Sequence, residues 1–133
     1  MTTTLPDTVS ESIIALFTGA NVYISLHSAD PGKTGASEIS GTSYGRILVA
    51  TSTGWSAAGA DVTSGGRVKD NSGIVNYGTA GSAWGTITHL GVWTAITAGA
   101  FMGGGPLTAS QTVASGNAVS FPIGDLDIVG AGF

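Results

Sequence analysis

The sequence contains no cysteine and only four basic residues. Without cysteine, neither a disulfide nor a thiolate-bound metal can hold the fold together. The basic residues are too few to neutralise a phosphate backbone, so we expect no nucleic-acid partner. They are Lys33, Arg46, Arg67 and Lys69.

The sequence also lacks long apolar runs. None approaches the ~18 residues that a membrane span requires, so we expect no membrane partner. The first four residues, Met-Thr-Thr-Thr, lack the basic region of a signal peptide. We therefore expect a protein that is made and used outside the secretory route.

Charge of either sign is scarce, since 9% of the residues are charged where a typical domain has about 25%. The surface must then consist largely of Ser, Thr, Gly and Asn, whose burial costs far less than the burial of ions. Such a surface also lacks the repulsion that keeps monomers apart. The composition fits a subunit that contacts other copies, and it fits a plain Gly/Thr-rich β protein equally well.

The first twenty residues have helical periodicity. Val9, Ile13, Leu16 and Phe17 fall on one face of a helix, which we place from residue 6 to 18. Residues 8–11 match a capping box. The pattern predicts a helical arm over residues 1–20, and it leaves open whether the apolar face joins the core or anchors the chain to a neighbour.

From residue 21 onward, apolar residues alternate with polar ones, as in strands. The chain of 133 residues is long enough to form one hydrophobic core without disulfides or a structural metal. We predict an all-β fold over residues 21–133, a jelly-roll-like or immunoglobulin-like antiparallel β-sandwich. The expected strands are 21–28, 44–51, 67–70, 73–77, 84–93, 100–103, 119–121 and 126–129, and the Gly-Gly-Gly-Pro run at 103–106 is expected to be a break. The expected core is Val22, Ile24, Leu26, Ile47, Val49, Ile74, Ile87, Leu90, Trp93, Phe101, Leu107, Phe121, Ile123 and Ile128.

The candidate catalytic patterns are weak. Residues 41–45 match G-x-S-x-G, but that motif needs a strand before Ser43 and a helix after it, so we predict a loop that leads into a strand. His27 lies beside Ser28, yet neighbours on a strand point to opposite faces. His27 and His89 are the only histidines and lack zinc-site spacing. We expect no catalytic residue, no metal and no cofactor.

Three stretches carry a resemblance to a known family. Residues 22–41 read VYISLHSADPGKTGASEISG, residues 88–95 read THLGVWTA, and residues 107–128 read LTASQTVASGNAVSFPIGDLDI. In this order they resemble small virion structural proteins of tailed bacteriophages, a family whose members are called tail-fibre or minor structural proteins. The resemblance implies a virion component that is assembled in the host cytoplasm.

We expect, first, a capsid decoration (cement) protein on the outer surface of the head, a homotrimer that binds the major capsid protein at capsomer junctions. The alternative is a tail-fibre or tail-tip module that contacts tail proteins and uses its tryptophans and tyrosines to bind a host glycan. A hydrolase is the third and least supported class.

Contact residues are expected in the loop from residue 30 to 43, because loops at the end of a sandwich commonly carry contacts. Its few charges would set the register with a partner. The candidate partner-contact residues are Asp30, Lys33, Glu38 and Tyr44.

Overall fold

The computed structural model describes residues 6–51, 53–60 and 67–130. Within these ranges the chain forms one α-helix, α1 (Asp7–Thr18), and nine β-strands. The strands are β1 (Val22–His27), β2 (Ile47–Val49), β3 (Gly59–Ala60), β4 (Arg67–Asp70), β5 (Val75–Thr79), β6 (Gly85–Trp93), β7 (Phe101–Val113), β8 (Ala118–Phe121) and β9 (Asp127–Gly130).

The chain forms two compact units. The first unit contains Met1–Asn21, Val49–Ile74 and Phe121–Phe133, and the second contains Val22–Leu48 and Val75–Ser120. Each unit is therefore assembled from segments that are distant in sequence. The predicted division into an arm (1–20) and a sandwich (21–133) stays a prediction.

In the first unit, α1 packs on a sheet of order β3-β4-β9. Antiparallel pairing sets Val68 opposite Val129. The helix approaches closely because the hydroxyl of Ser10 donates to the carbonyl of Gly130 and accepts the backbone N–H of Arg67 at 2.9 Å. A Cβ on Gly130 would collide with the backbone of Ser10, so glycine is required at this point.

The predicted apolar face of α1 is only partly right, since Ile13 and Phe17 are half-buried but Val9 and Leu16 are not. The buried stripe consists of Ser10, Ile14 and Thr18, whereas Val9 and Leu16 are 44% and 71% exposed. A serine takes an inner position because it satisfies backbone groups of both β4 and β9, which apolar periodicity cannot reveal. The capping box is wrong as well, since Pro6 occupies the N-cap position and no side chain caps the helix.

The second unit contains a four-stranded sheet of order β2-β1-β6-β7 and a two-stranded sheet of β5 and β8. β1 pairs with β6, and β6 with β7, in antiparallel register. The two sheets are joined where the hydroxyl of Tyr77, on β5, donates to the carbonyl of Ile24, on β1, at 2.7 Å. The predicted fold class is confirmed: antiparallel sheets in a sandwich-like arrangement with one short helix.

The predicted break at 103–106 is wrong, because these residues lie inside β7. β7 is an edge strand, where Pro106 can be accommodated without breaking a ladder. The pairing shifts from His89↔Pro106 to Ile87↔Gln111, so residues 107–110 bulge out of the ladder. Residues 59–60 form a strand that the sequence did not predict.

The predicted core is partly right. Val22, Ile24, Leu26, Val49, Ile87 and Ile128 are buried, and the other predicted residues are half-buried except for two. Ile74 and Ile123 are 64% and 65% exposed. Ile74 precedes β5, whose inward residues are Val75 and Tyr77, and a shift of one residue reverses the faces of a strand. Ile123 lies in the turn before β9, where Leu126 is buried instead.

Replacement of Ile14 by alanine should lower the free energy of unfolding by about 2–5 kcal/mol, because the side chain is fully buried and a cavity would remain. Leu16→Ala on the same helix is the matched control and should change it by less than about 0.5 kcal/mol, since Leu16 is exposed. Urea denaturation measures both. Equal losses in the two variants would contradict the observed helix face.

Candidate functional site

A connected group of polar and aromatic side chains lies in the second unit, on one face of the β2-β1-β6-β7 sheet. We call it the polar network, and it consists of Ser25, His27, Glu38, Tyr44, Arg46 and Trp93. The segment at residues 29–43, called here the cover loop, closes over it. Gly91 faces the network from β6, and a Cβ there would lie only 2.6 Å from the Ser25 hydroxyl oxygen. Glycine at this position leaves the room that the hydrogen bonds need.

The first half of the network is a chain of hydrogen bonds through His27. Trp93 Nε1–H donates to Ser25 Oγ at 2.9 Å, and Ser25 Oγ lies 2.7 Å from His27 Nε2. His27 Nδ1 lies 2.7 Å from the carbonyl oxygen of Ala36 in the cover loop. Because a carbonyl only accepts, Nδ1 carries the proton and Nε2 accepts the Ser25 hydroxyl.

Ser25 and His27 are both fully buried. Burial is the main cause that lowers the pKa of His27, since the charged form is poorly solvated there. The imidazole is therefore neutral at pH 7.

The second half of the network is an ion pair between the cover loop and the segment before β2. Arg46 Nε and Nη2 donate to the two carboxylate oxygens of Glu38 at 2.9 and 2.8 Å. The Tyr44 hydroxyl donates to Glu38 at 2.9 Å and accepts the backbone N–H of Leu26 at 3.0 Å. Such a bidentate, hydrogen-bonded pair fixes the positions of both side chains.

Arg46 also connects a third segment. Its Nη1 donates to the carbonyl oxygens of Ala95 and Ala98, at 3.0 and 2.8 Å, in the turn between β6 and β7. The guanidinium carbon lies 3.8 Å from the centre of the Trp93 ring, a cation–π contact that links the two halves of the network. One arginine thus holds the cover loop, the β6–β7 turn and the sheet face together.

The electrostatics keep Glu38 ionised. Burial alone would raise its pKa, but the hydrogen bonds from Arg46 and Tyr44 outweigh burial and lower it. Burial raises the pKa of both Tyr44 and Tyr77. Both phenols therefore stay neutral hydrogen-bond donors at pH 7. The charged groups of the polar network are then the Glu38 carboxylate and the Arg46 guanidinium.

The aromatic residues expected to line a glycan groove are mostly interior. Trp55, Tyr77 and Trp84 are buried. Tyr44 stacks on Tyr77 with ring centroids 6.3 Å apart, and it meets the edge of Trp84 at 5.5 Å. These rings form core packing, and the half-buried Trp93 is covered on one face by Arg46.

The structure separates the four predicted contact residues. Asp30 and Lys33 are exposed on the outside of the cover loop, where Asp30 accepts the N–H of Gly32 at 2.9 Å. Glu38 and Tyr44 point inward and belong to the polar network. Their role as a partner-contact set stays a prediction.

Sequence reasoning missed Ser25 because it paired His27 with the adjacent Ser28. The alternation of β1 could have revealed Ser25, since residues two apart share a face.

Ser43, in the G-x-S-x-G match, lies in a turn and the chain then enters β2, as predicted. His89 Nδ1 lies 2.8 Å from Thr88 Oγ1. The described residues contain no group of three or more His, Asp or Glu that could hold a metal.

One family model matches nearly the whole chain, over residues 9–129. The match places the chain among bacteriophage structural proteins. The chain belongs to the family described as Podophage GP4 fiber I protein gp80. The resemblance to virion structural proteins is confirmed at this level, although the match does not single out residues 22–41. A comparison with the curated proteins found no match. No helix within the described ranges is long and apolar enough to cross a membrane.

Replacement of Arg46 by methionine should lower the free energy of unfolding by up to about 3 kcal/mol, because the half-buried Glu38, 22% exposed, would keep its charge without a partner. Only 9% of the Arg46 side chain is exposed. Thermal and urea unfolding measure the loss.

Arg67→Met is the matched control. Arg67 pairs with Glu11 at 2.9 Å and with Asp7 at 3.8 Å, and those two acids are 42% and 71% exposed. Exposed pairs contribute about 0–1 kcal/mol. A larger loss for Arg67→Met than for Arg46→Met would contradict the central place of the Glu38–Arg46 pair.

Proposed function

We propose that this chain is a structural subunit of a phage fibre, where it works by packing against copies of itself and against tail proteins. The observation that carries the proposal is the fibre-family match over residues 9–129. The decoration of the head, which the sequence favoured first, is kept as the second candidate, because a charge-poor surface suits either assembly.

The surface supports assembly. With 9% charged residues, little free energy is needed to desolvate it. Large apolar side chains are exposed among serines and threonines, so contact with a neighbour would also bury apolar area. They include Leu48, Ile74, Ile96 and Ile123, which are 49–65% exposed.

The polar network supports assembly through rigidity. Arg46 and Glu38 fix the cover loop and the β6–β7 turn before any partner arrives. A preorganised loop loses little conformational entropy on binding, which favours repeated identical contacts. We propose that Asp30 and Lys33, on the outside of that loop, set the register with the partner, and that closed symmetry makes the assembly a homotrimer.

The location of the protein in virions tests the proposal. Cryo-electron microscopy with antibody labelling, together with copy number by quantitative mass spectrometry, should find the chain at the tail, in a few to a few dozen copies. Labelling of a co-purified tail fraction is the control. Density over the head with copies in the hundreds would overturn the fibre role in favour of decoration.

We also propose that the protein is not an enzyme. Among the described residues, Ser25 and His27 come nearest to a nucleophile–base pair, and both are fully buried and closed to a substrate. The third member of a triad would be a carboxylate, whereas His27 Nδ1 meets a backbone carbonyl.

Purified protein should hydrolyse neither activated esters nor host polysaccharides above the background rate. The measurement compares the wild type with Ser25→Ala, and Ser28→Ala, an exposed neighbour, serves as the control. A reproducible activity that Ser25→Ala abolishes and Ser28→Ala retains would contradict the proposal.

A further inference from the structure

Two side-chain attachments hold the cover loop to the sheet, one on either side of a strained residue, and Ile39 N–H also donates to the carbonyl of Leu26 at 3.0 Å. Before Ser37, the carbonyl of Ala36 accepts His27 Nδ1–H at 2.7 Å. After Ser37, Glu38 is held by Arg46 and Tyr44. Ser37 itself has φ 64°, in the left-handed region that residues with a Cβ adopt only at an energetic cost. The backbone of Ser37 is also held directly, because its carbonyl accepts the backbone N–H of Ser28 at 3.0 Å.

The attachment through His27 requires a neutral ring. Nδ1–H donates to Ala36, and Nε2 accepts the Ser25 hydroxyl, whose oxygen already accepts Trp93 Nε1–H. A second ring proton on Nε2 would turn this acceptor into a donor. The Ser25 hydrogen would then lose its acceptor, since Ser25 Oγ has no other partner among the described residues. A fully buried imidazolium would also lose its hydration.

The charged groups that face His27 do not compensate for this loss. Glu38 from the cover loop attracts a proton to the ring, but Arg46 already holds its carboxylate at 2.8 Å. Arg46 and His89, the cross-strand partner of His27 on β6, repel it. β7 carries no charged residue, and its Phe101 lies with its ring centroid 6.3 Å from that of His27.

We propose that His27 is a proton-sensitive latch, which holds the cover loop closed when its ring is neutral and releases the loop when the ring is protonated. Release frees the loop backbone as far as Ala36, while the Ser28–Ser37 backbone hydrogen bond and the Glu38–Arg46 pair keep the far side of the loop in place. The accessible area of Trp93 and Phe101 would increase, because Gly35 of the loop packs directly on both rings. This inference does not depend on whether the protein sits in a fibre or on the head.

The direction of the pH dependence follows from burial, which lowers the pKa of His27 in the closed form. In the open form the ring is solvated and has a pKa of ~6.5. The open form therefore binds more protons below ~6.5, and the opening equilibrium should rise about tenfold for each pH unit below that value. The rise ends when the pH reaches the pKa of the closed form. Glu38 does not contribute in this window, because its pKa is lowered and it stays ionised.

Hydrogen exchange of the full chain, corrected for intrinsic rates, tests the latch. As the pH falls from 7.5 to 5, the amides of Gly35 and Ala36 should lose protection about tenfold per unit below ~6.5, while the amides of Ile39 and of β6 keep theirs. His27→Gln, which cannot be protonated, should abolish this dependence. His89→Gln removes the other histidine and should retain it.

Three results would overturn the latch. The first is unchanged pH dependence in His27→Gln, the second is its loss in His89→Gln, and the third is simultaneous loss of protection in the cover loop and in β6. If His27→Gln does not fold, wild-type protein still decides the question by NMR. The midpoint of the His27 ring titration must then coincide with that of loop opening, and midpoints separated by more than about one pH unit would refute the proposal.

Discussion

The ion pair between Glu38 and Arg46 is the interaction on which the second unit depends. It joins three segments that are distant in sequence: the cover loop, the entry to β2 and the turn between β6 and β7. A partly buried ion pair is stable only when the remaining hydrogen-bond donors and acceptors of its two side chains are also satisfied. Tyr44, two backbone carbonyls and the face of Trp93 provide those contacts.

In the first unit, segments that are distant in sequence are joined without a buried ion pair. Ser10, on the inner face of α1, connects β4 and β9 through one hydroxyl group. Gly130 permits the close approach, and the ion pairs of Arg67 with Glu11 and Asp7 stay near the surface. Helix and sheet are therefore held by backbone-directed polar contacts as much as by Ile14.

This use of charge explains how a protein with few ionic groups can be both ordered and ready to assemble. Two of its four basic residues, Arg46 and Arg67, serve in ion pairs within the chain. The outer surface carries few charges, such as Asp30 and Lys33, among hydroxyl groups and scattered apolar side chains. A partner can cover such a surface at little cost in desolvation, while the internal pairs keep the loops in one conformation.

The sequence by itself determined the fold class, the position of α1 and most of the strands, because these features depend on local periodicity. The period of two in residues 22–27 placed Val22, Ile24 and Leu26 in the core, where they lie. The segments at residues 22–41, 88–95 and 107–128 also indicated a phage structural protein, and the family match agrees.

Only the tertiary structure decided which residues serve the polar network. Nothing near Glu38 in sequence indicates that Arg46 will hold it rather than a partner, because the pair forms only after the cover loop folds over the sheet. Ser10 and Ile14 replaced Val9 and Leu16 on the inner face of α1 for the same reason, since the sheet they contact comes from residues 67–70 and 127–130. Local patterns fix which residues alternate, but long-range hydrogen bonds determine which polar groups can be buried.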